Sequence, residues 1–185
     1  MLILASRSPR RQELLQRITP DFQAVPSDFD ERAVQEPIPE KLVRRLAEGK
    51  ARTVWEQYPD SVVIGCDTIV VSPDNQVFGI PEDEKQAKEM LKGLSGKTHR
   101  VITGVCVMDG KKKSVFHKTT KVRFMPLSES DIQWYLGTGE PFDKAGAYGI
   151  QGYAGVFVES IHGDFHNVVG LPIQALRKVL QNYKY

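Results

Sequence analysis

Cysteine is scarce in this chain. There are two in 185 residues, Cys66 in VVIGCDTIVV and Cys106 in VITGVCVMD, each inside an apolar run. No C-x-x-C or metal-type spacing connects them, so both read as reduced core cysteines of a cytosolic protein rather than as a reactive pair. Long apolar runs are missing as well: no stretch approaches a membrane span. The run Leu2 to Ala5 is too short for a signal-peptide core, and its arginines follow it rather than precede it. Nor is there an excess of one charge. With 25 Lys+Arg against 23 Asp+Glu the net charge is +2, which leaves no general footprint for nucleic acid or a membrane surface, so any anion site has to be local. Repeats, low-complexity tracts and Gly/Ser- or Pro-rich linkers are absent, and a single domain over residues 1–185 is expected.

Several catalytic signatures are also lacking. The histidines His99, His117, His162 and His166 form no H-E-x-x-H set, which argues against a zinc hydrolase, and no G-x-S-x-G elbow is present for serine hydrolysis. GLSGKTH, residues 93–99, resembles the end of a phosphate-binding P-loop, but Leu91 stands where the first glycine belongs. A helix precedes that stretch and a β-rich run follows it, the reverse of the P-loop order. A P-loop kinase or GTPase is therefore excluded.

What is present reads as an α/β chain. Hydrophobic patterning predicts a strand over Leu2–Ala5, a helix from Pro9 to about Ile18, an extended FQAVPS, and a long helix from about Pro39 to Tyr58. The Val/Ile-rich run 61–72 reads as a buried strand, followed by a turn at PDNQ and a short strand at Val77–Phe78. A helix from about Asp83 to Leu91 is expected to end near Gly93. Residues 99–108 and 113–125 flank Asp109-Gly110 as an antiparallel hairpin. The capping box SESD precedes the helix IQWYL, then come the strand GVFVESI and a closing helix LPIQALRKVLQNY with Pro172 in its first turn. Strands and helices do not alternate strictly, so a mixed sheet is expected rather than an all-parallel one.

Four features carry chemistry. The segment SRSPRR places Ser8 as an N-cap and Pro9 at the first helical position, yet puts Arg10 and Arg11 in the first turn. Two cations there oppose the helix dipole, and an anion would compensate. Lys50 falls within the apolar stripe Val43, Leu46, Ala47, Ala51 and Val54, so its ammonium either snorkels past its neighbours to water or is aimed into a cleft. Asp67 sits in the middle of VVIGCDTIVV, where a carboxylate must be paired, hydrogen-bonded, metal-bound or protonated. Either a salt-bridged structural aspartate or a functional one fits, and Gly65 would let another group approach the backbone there closely. The loop Pro141 to Gly152, PFDKAGAYGIQG, carries Lys144, Tyr148 and Gln151, and is either a surface turn or part of a site.

The strings LASRSPRR, VIGCDTIV, LSGKTHRVITGV, DKAGAYGIQG and VVGLP, in this order from Leu4 to Pro172, closely resemble the Maf family of nucleotide pyrophosphatases. The resemblance implies a mixed β-sheet flanked by helices, like that of inosine triphosphate pyrophosphatases, with two lobes around a cleft. It implies a cytoplasmic, often homodimeric hydrolase that uses a divalent metal cation, Mg²⁺ or Mn²⁺, to convert a nucleoside triphosphate to the monophosphate and pyrophosphate. The family is associated with septum formation in bacteria. The Gln of AYGIQG resembles the branch acting on dTTP and UTP rather than on 7-methyl-GTP.

By the same resemblance Asp67 is the catalytic aspartate, as metal ligand, general base or both, and Glu31 aligns with an acidic position near the metal. Ser8, Arg10, Arg11 and Lys50 meet the phosphates, and Arg11, Thr68 and Gln151 help to select the base. One departure stands out: family members commonly carry lysine in G-K-P, and this chain reads Gly79-Ile80-Pro81. A catalytically weakened nucleotide-binding module with a regulatory role is thus the alternative to an active enzyme.

Overall fold

The computed structural model describes residues 1–185, which form two compact units, one of residues 1–68, 103–118 and 170–185 and the other of residues 69–102 and 119–169. In chain order the elements are β1 (Leu2–Ala5), α1 (Pro9–Gln16), β2 (Gln23–Ala24), α2 (Pro39–Gln57), β3 (Val62–Val71), β4 (Val77–Phe78), α3 (Glu84–Leu94), β5 (Thr98–Met108), β6 (Lys113–Phe124), α4 (Glu129–Leu136), β7 (Val158–His162), α5 (Phe165–Val169) and α6 (Ile173–Leu180). The strands make a seven-stranded sheet in the order β2-β1-β3-β5-β6-β7, with β4 paired to β3. The sheet is mixed: β1 runs parallel to β2 and β3, while β7 is antiparallel to β6. No helix is long and apolar enough to cross a membrane.

In the first unit, β1 is buried along its whole length and pairs with β3 from Leu2↔Val62 to Ala5↔Gly65. Val43, Leu46, Ala47, Ala51 and Val54 of α2 are the buried face that the apolar stripe predicts, and Ile3, Val63, Cys106 and Met108 pack with Ala47, Ala51 and Val54. Gly65 fixes how closely α2 lies on the sheet. A methyl group there would stand 2.2 Å from the Ala47 carbonyl oxygen and 2.6 Å from the Ala51 nitrogen, which is too close for any side chain. Both cysteines are free and buried. Burial raises the pKa of each thiol, to about 12 for Cys106.

In the second unit, Ala87, Met90, Leu91 and Leu94 of α3 pack with Phe124, Tyr135, Tyr148 and Phe157. His99, 1% exposed, lies edge-on to the rings of Phe124 and Tyr148, with its Nε2 2.7 Å from the Tyr148 hydroxyl. Its Nδ1 is buried without a hydrogen-bond partner. Burial therefore pushes the imidazole pKa down from 6.5 to about 4.

The end of α3 is near Gly93, as expected: the helix runs to Leu94 with Ser95 as its C-cap, and the left-handed turn falls at Gly96, φ +65°. Two details of the sequence-derived elements differ. Residues 155–157 of the expected strand GVFVESI belong instead to a 3₁₀ turn, Tyr153–Phe157, closed by a Gly155 N–H bond to the Gly152 carbonyl, with β7 starting at Val158. Pro172 is the N-cap of α6 rather than a first-turn residue. The capping box is as read: Ser128 accepts from the Asp131 N–H, and Asp131 accepts from the Ser128 N–H.

Candidate active site

β1 stops pairing at Ala5↔Gly65, two residues short of Asp67 on β3. The chain then leaves β1 through Ser6 to Ser8 and enters α1. Asp67 thus stands beyond the carboxyl end of one of two parallel strands, the position where open α/β sheets bind ligands, because diverging connections leave strand ends uncovered.

Lys50 comes down on this point from α2. Its Nζ is 2.6 Å from Asp67 Oδ1 and 2.8 Å from Glu31 Oε1. The Lys50 and Asp67 side chains are only 13% and 10% exposed, whereas Glu31 is 54% exposed. Of the two readings of Lys50, the inward one holds: the ammonium meets carboxylates rather than bulk water. Burial works against its charge, but the adjacent Asp67 carboxylate and the hydrogen bonds to Asp67 and Glu31 outweigh that and raise its pKa above the ordinary value. The close seating of α2 over Gly65 makes this reach possible.

Glu31 is delivered by a different device. It opens a 3₁₀ turn, Glu31–Ala33, capped by the Asp30 side chain on the Arg32 N–H. Two residues earlier Phe29 lies where a Gly49 side chain would be, its ring atoms 2.3–2.5 Å from an added Cβ. Gly49 therefore seats Phe29 on α2 next to Lys50, and Glu31 follows.

Ser8 is the N-cap of α1, accepting from the Arg11 N–H at 3.4 Å, while its own N–H donates to Ser6 Oγ at 3.2 Å. Arg11 is engaged within the protein. Its Nε donates to the Gly170 carbonyl at 3.0 Å, Nη1 to the Cys66 carbonyl at 3.2 Å and Ser6 Oγ at 3.5 Å, and Nη2 to Thr68 Oγ1 at 3.0 Å. Thr68 Oγ1 is in turn 2.9 Å from Thr103 Oγ1. The Cys66 and Gly170 carbonyls and the Ser6 and Thr68 hydroxyls thus offer Arg11 part of the negative counter-charge that a cation in a first helical turn requires. Arg10, its neighbour, is partly exposed.

The structure accordingly joins Ser8, Arg11 and Thr68 by hydrogen bonds and Glu31, Lys50 and Asp67 by ion pairs, both sets in the first unit, and the two adjoin along residues 66–68 of β3. Gln151 belongs to the second unit, exposed in the turn Gly149–Gly152. Ile80 is also in the second unit and 60% exposed, so the apolar residue at the G-K-P position is not packed inward. Ser6, Thr103 and the Gly170 carbonyl escaped the sequence reading, since serine, threonine and glycine in strand or loop patterns carry no charge to single them out.

No group of three or more His, Cys, Asp or Glu residues is arranged to hold a metal. The two carboxylates that converge on the Lys50 ammonium do fit a hard cation of the magnesium type. Such an ion takes one or two protein carboxylates and leaves its other positions to water and substrate phosphate.

The fold defined by this sheet is shared by solved Ham1 proteins. The Staphylococcus aureus Ham1 protein matches with a TM-score of 0.54 over 99% of both chains, and a HAM1 protein from Coxiella burnetii with 0.56 over 98% of both, each at 13% identity. The chain belongs to the Maf family: a family model described as Maf-like protein matches residues 1–183. Among its relatives, a Symbiobacterium thermophilum protein called dTTP/UTP pyrophosphatase is 51% identical over 184 residues, covering 100% of this chain and 94% of that protein. A Clostridium botulinum protein of the same name is 50% identical over 186 residues (97% and 95%), and one from Clostridioides difficile 47% identical over 184 (98% and 94%).

Proposed function

We propose that this protein is a nucleoside triphosphate pyrophosphatase that cleaves dTTP and UTP, or modified pyrimidine counterparts, between the α and β phosphates to give the monophosphate and pyrophosphate. The observation that carries the reading is the Lys50 ammonium held between Asp67 and Glu31 beyond the end of β1, beside the Ser6–Arg11 turn. The names of relatives near 50% identity over almost the whole chain support the substrate class. Residues 1–185 act as one catalytic domain, a reading supported by β3, β5 and β6, each of which has residues in both units.

Asp67 is the general base. Its carboxylate accepts a proton from water as the water oxygen bonds to phosphorus and the α,β bridging oxygen leaves with pyrophosphate. Lys50 pairs with that carboxylate and meets the phosphates together with Arg10, Arg11 and the Ser8 turn, a cationic set that offsets charge developing on the phosphoryl oxygens. Asp67 and Glu31 would hold a divalent cation, Mg²⁺ or Mn²⁺, which when bound supplies charge neutralisation at the phosphates and acidifies water. Arg11, Thr68 and Gln151 select the base. Thymine and uracil share an imide edge of two carbonyl acceptors around one N–H, and a site matched to it leaves polar groups unpaired with cytosine or a purine.

The test is a side-by-side panel of dTTP, UTP, CTP, ATP and GTP with Mg²⁺ or Mn²⁺, reading pyrophosphate release. Similar rates for dTTP and UTP, with the rest well behind, support the reading; a purine preference or indifference to the base overturns it. The exposed Ile80 favours a second reading, a catalytically weakened nucleotide-binding module, which would show dTTP binding by calorimetry but little pyrophosphate release in the panel. A cytoplasmic location and a homodimer belong to the proposal, and light scattering on the purified protein tests the dimer.

A further inference from the structure

Glu140 lies one residue outside the glycine-rich loop that the sequence singles out, and its side chain is partly buried rather than turned to water. It opens a 3₁₀ turn, Glu140–Asp143, which α4 reaches through residues 137–139. Its Oε1 accepts the Tyr135 hydroxyl at 2.9 Å, and its Oε2 accepts the Tyr153 backbone N–H at 2.9 Å. A longer contact of 3.5 Å joins the Ala154 N–H to Oε1. The Tyr135 hydroxyl accepts in turn from the Gly149 N–H at 3.3 Å. One carboxylate therefore grips both flanks of a short turn: residue 149 through Tyr135, and residues 153 and 154 directly. Gln151 sits between those grips, exposed.

The packing is equally specific. A methyl group on Gly152 would lie 2.0 Å from Glu140 Oε2 and 2.4 Å from its carboxyl carbon. A methyl group on Gly149 would strike the Lys144 side chain at 2.6 Å, and the Lys144 Nζ donates to the Glu140 backbone carbonyl at 2.9 Å. The turn also closes on itself through a Gly152 N–H bond to the Gly149 carbonyl. The glycines on either side of the glutamine thus leave room for the elements that hold it. Tyr135 is fully buried, so its hydroxyl has few conformations open to it and transmits the grip rigidly.

We propose that Glu140 is a positioning residue for base selection: its carboxylate, directly and through Tyr135, fixes the turn that presents Gln151. The proposal rests on the pyrimidine-selective pyrophosphatase reading. A carboxylate is required because every contact it makes is to a donor; an amide offers one acceptor oxygen and turns an NH₂ group toward a backbone N–H. With the turn loosened, Gln151 no longer meets the imide edge in a fixed geometry, and a base with the wrong donor pattern is penalised less.

The experiment compares wild type, Glu140→Gln and the milder Tyr135→Phe, which removes only the link from Glu140 to Gly149. It measures kcat and KM for dTTP and CTP by pyrophosphate release, with circular dichroism as a check on folding. Glu140→Gln is expected to shrink the dTTP:CTP ratio of kcat/KM by roughly tenfold, mainly through a raised KM for dTTP, and Tyr135→Phe to shrink it less. Gln151→Ala added to Glu140→Gln should cost little further selectivity, because both changes disable one device. A merely structural role lowers both substrates together and leaves the ratio alone. An unchanged ratio in folded Glu140→Gln, or in Tyr135→Phe should Glu140→Gln fail to fold, overturns the proposal while the function stands. A wild-type enzyme with no preference between dTTP and CTP overturns both.

Discussion

Replacing His99 with glutamine should flatten the acid side of the stability profile. In the native protein the imidazole is held neutral by burial, its pKa lowered from 6.5 to about 4, and Nδ1 has no partner to accept or give a proton. The unfolded chain therefore binds one more proton than the native one between those values, so stability falls as pH drops below 6.5 and levels off below about 4. The full separation is worth about 3 kcal/mol, of which about 2 kcal/mol is already lost at pH 5. His117 adds a contribution of the same sign, since partial burial and the nearby Arg44 lower its pKa too. Glutamine at residue 99 keeps a polar atom for the Tyr148 hydroxyl but does not titrate. Denaturant unfolding at pH 7, 6 and 5 at constant ionic strength, followed by tryptophan fluorescence, reads the effect. Trp134 reports on the second unit, where His99 resides, and Trp55 on the first. Wild type should lose about 2 kcal/mol more than His99→Gln between pH 7 and 5. Parallel profiles for the two proteins would refute the buried neutral imidazole.

Gly65→Ala should destabilise the first unit by about 2 kcal/mol or more, because the new methyl meets α2 backbone rather than a movable side chain; a thermal midpoint within a degree of wild type would contradict the close seating of α2. Lys50→Met should cost about 3 kcal/mol by leaving the buried Asp67 carboxylate without its cation, and should suppress dTTP turnover more than nucleoside binding. Equal losses in turnover and nucleoside binding would assign Lys50 to the scaffold alone. Ile80→Lys should raise dTTP turnover by roughly tenfold or more, as a cation on an exposed loop residue meets charge on the phosphates; no gain at unchanged stability would dismiss a deficit at this residue.

Much of the framework was legible because it rests on short-range patterns. β1, α2 and β3 announce themselves through runs and stripes of apolar residues, and against such a background single charges stand out: Lys50 in its stripe and Asp67 in its strand. Their direct pairing is the structural counterpart of two separate irregularities in pattern. The rest depends on contacts between residues far apart in the chain, which leave no periodicity. Arg11 reaches Gly170 across 159 residues, and nothing in the sequence shows that its guanidinium is anchored on backbone and threonine oxygens inside the protein. Phe29 seated on Gly49 reads in sequence as an ordinary aromatic and a helix-weakening glycine. Glu140 looks like a solvated acid before a proline, since nothing local reveals that backbone amides 13 and 14 residues later point at it. The 3₁₀ turn at 153–157 was hidden by valine and phenylalanine, which favour strands until the turn beginning at Gly152 tucks Phe157 into the core.

Product analysis with the Asp67→Asn variant tests the central claim most directly. Wild type and variant are incubated with dTTP and Mg²⁺, and the products are separated by anion exchange. Wild type should yield dTMP and pyrophosphate in equal amounts. Asp67→Asn, folded and at saturating metal, should turn over more slowly by roughly a thousandfold or more, since the amide keeps the shape but accepts no proton from water. Release of dTDP and orthophosphate by the wild type, or near-wild-type turnover by the variant, would contradict that claim.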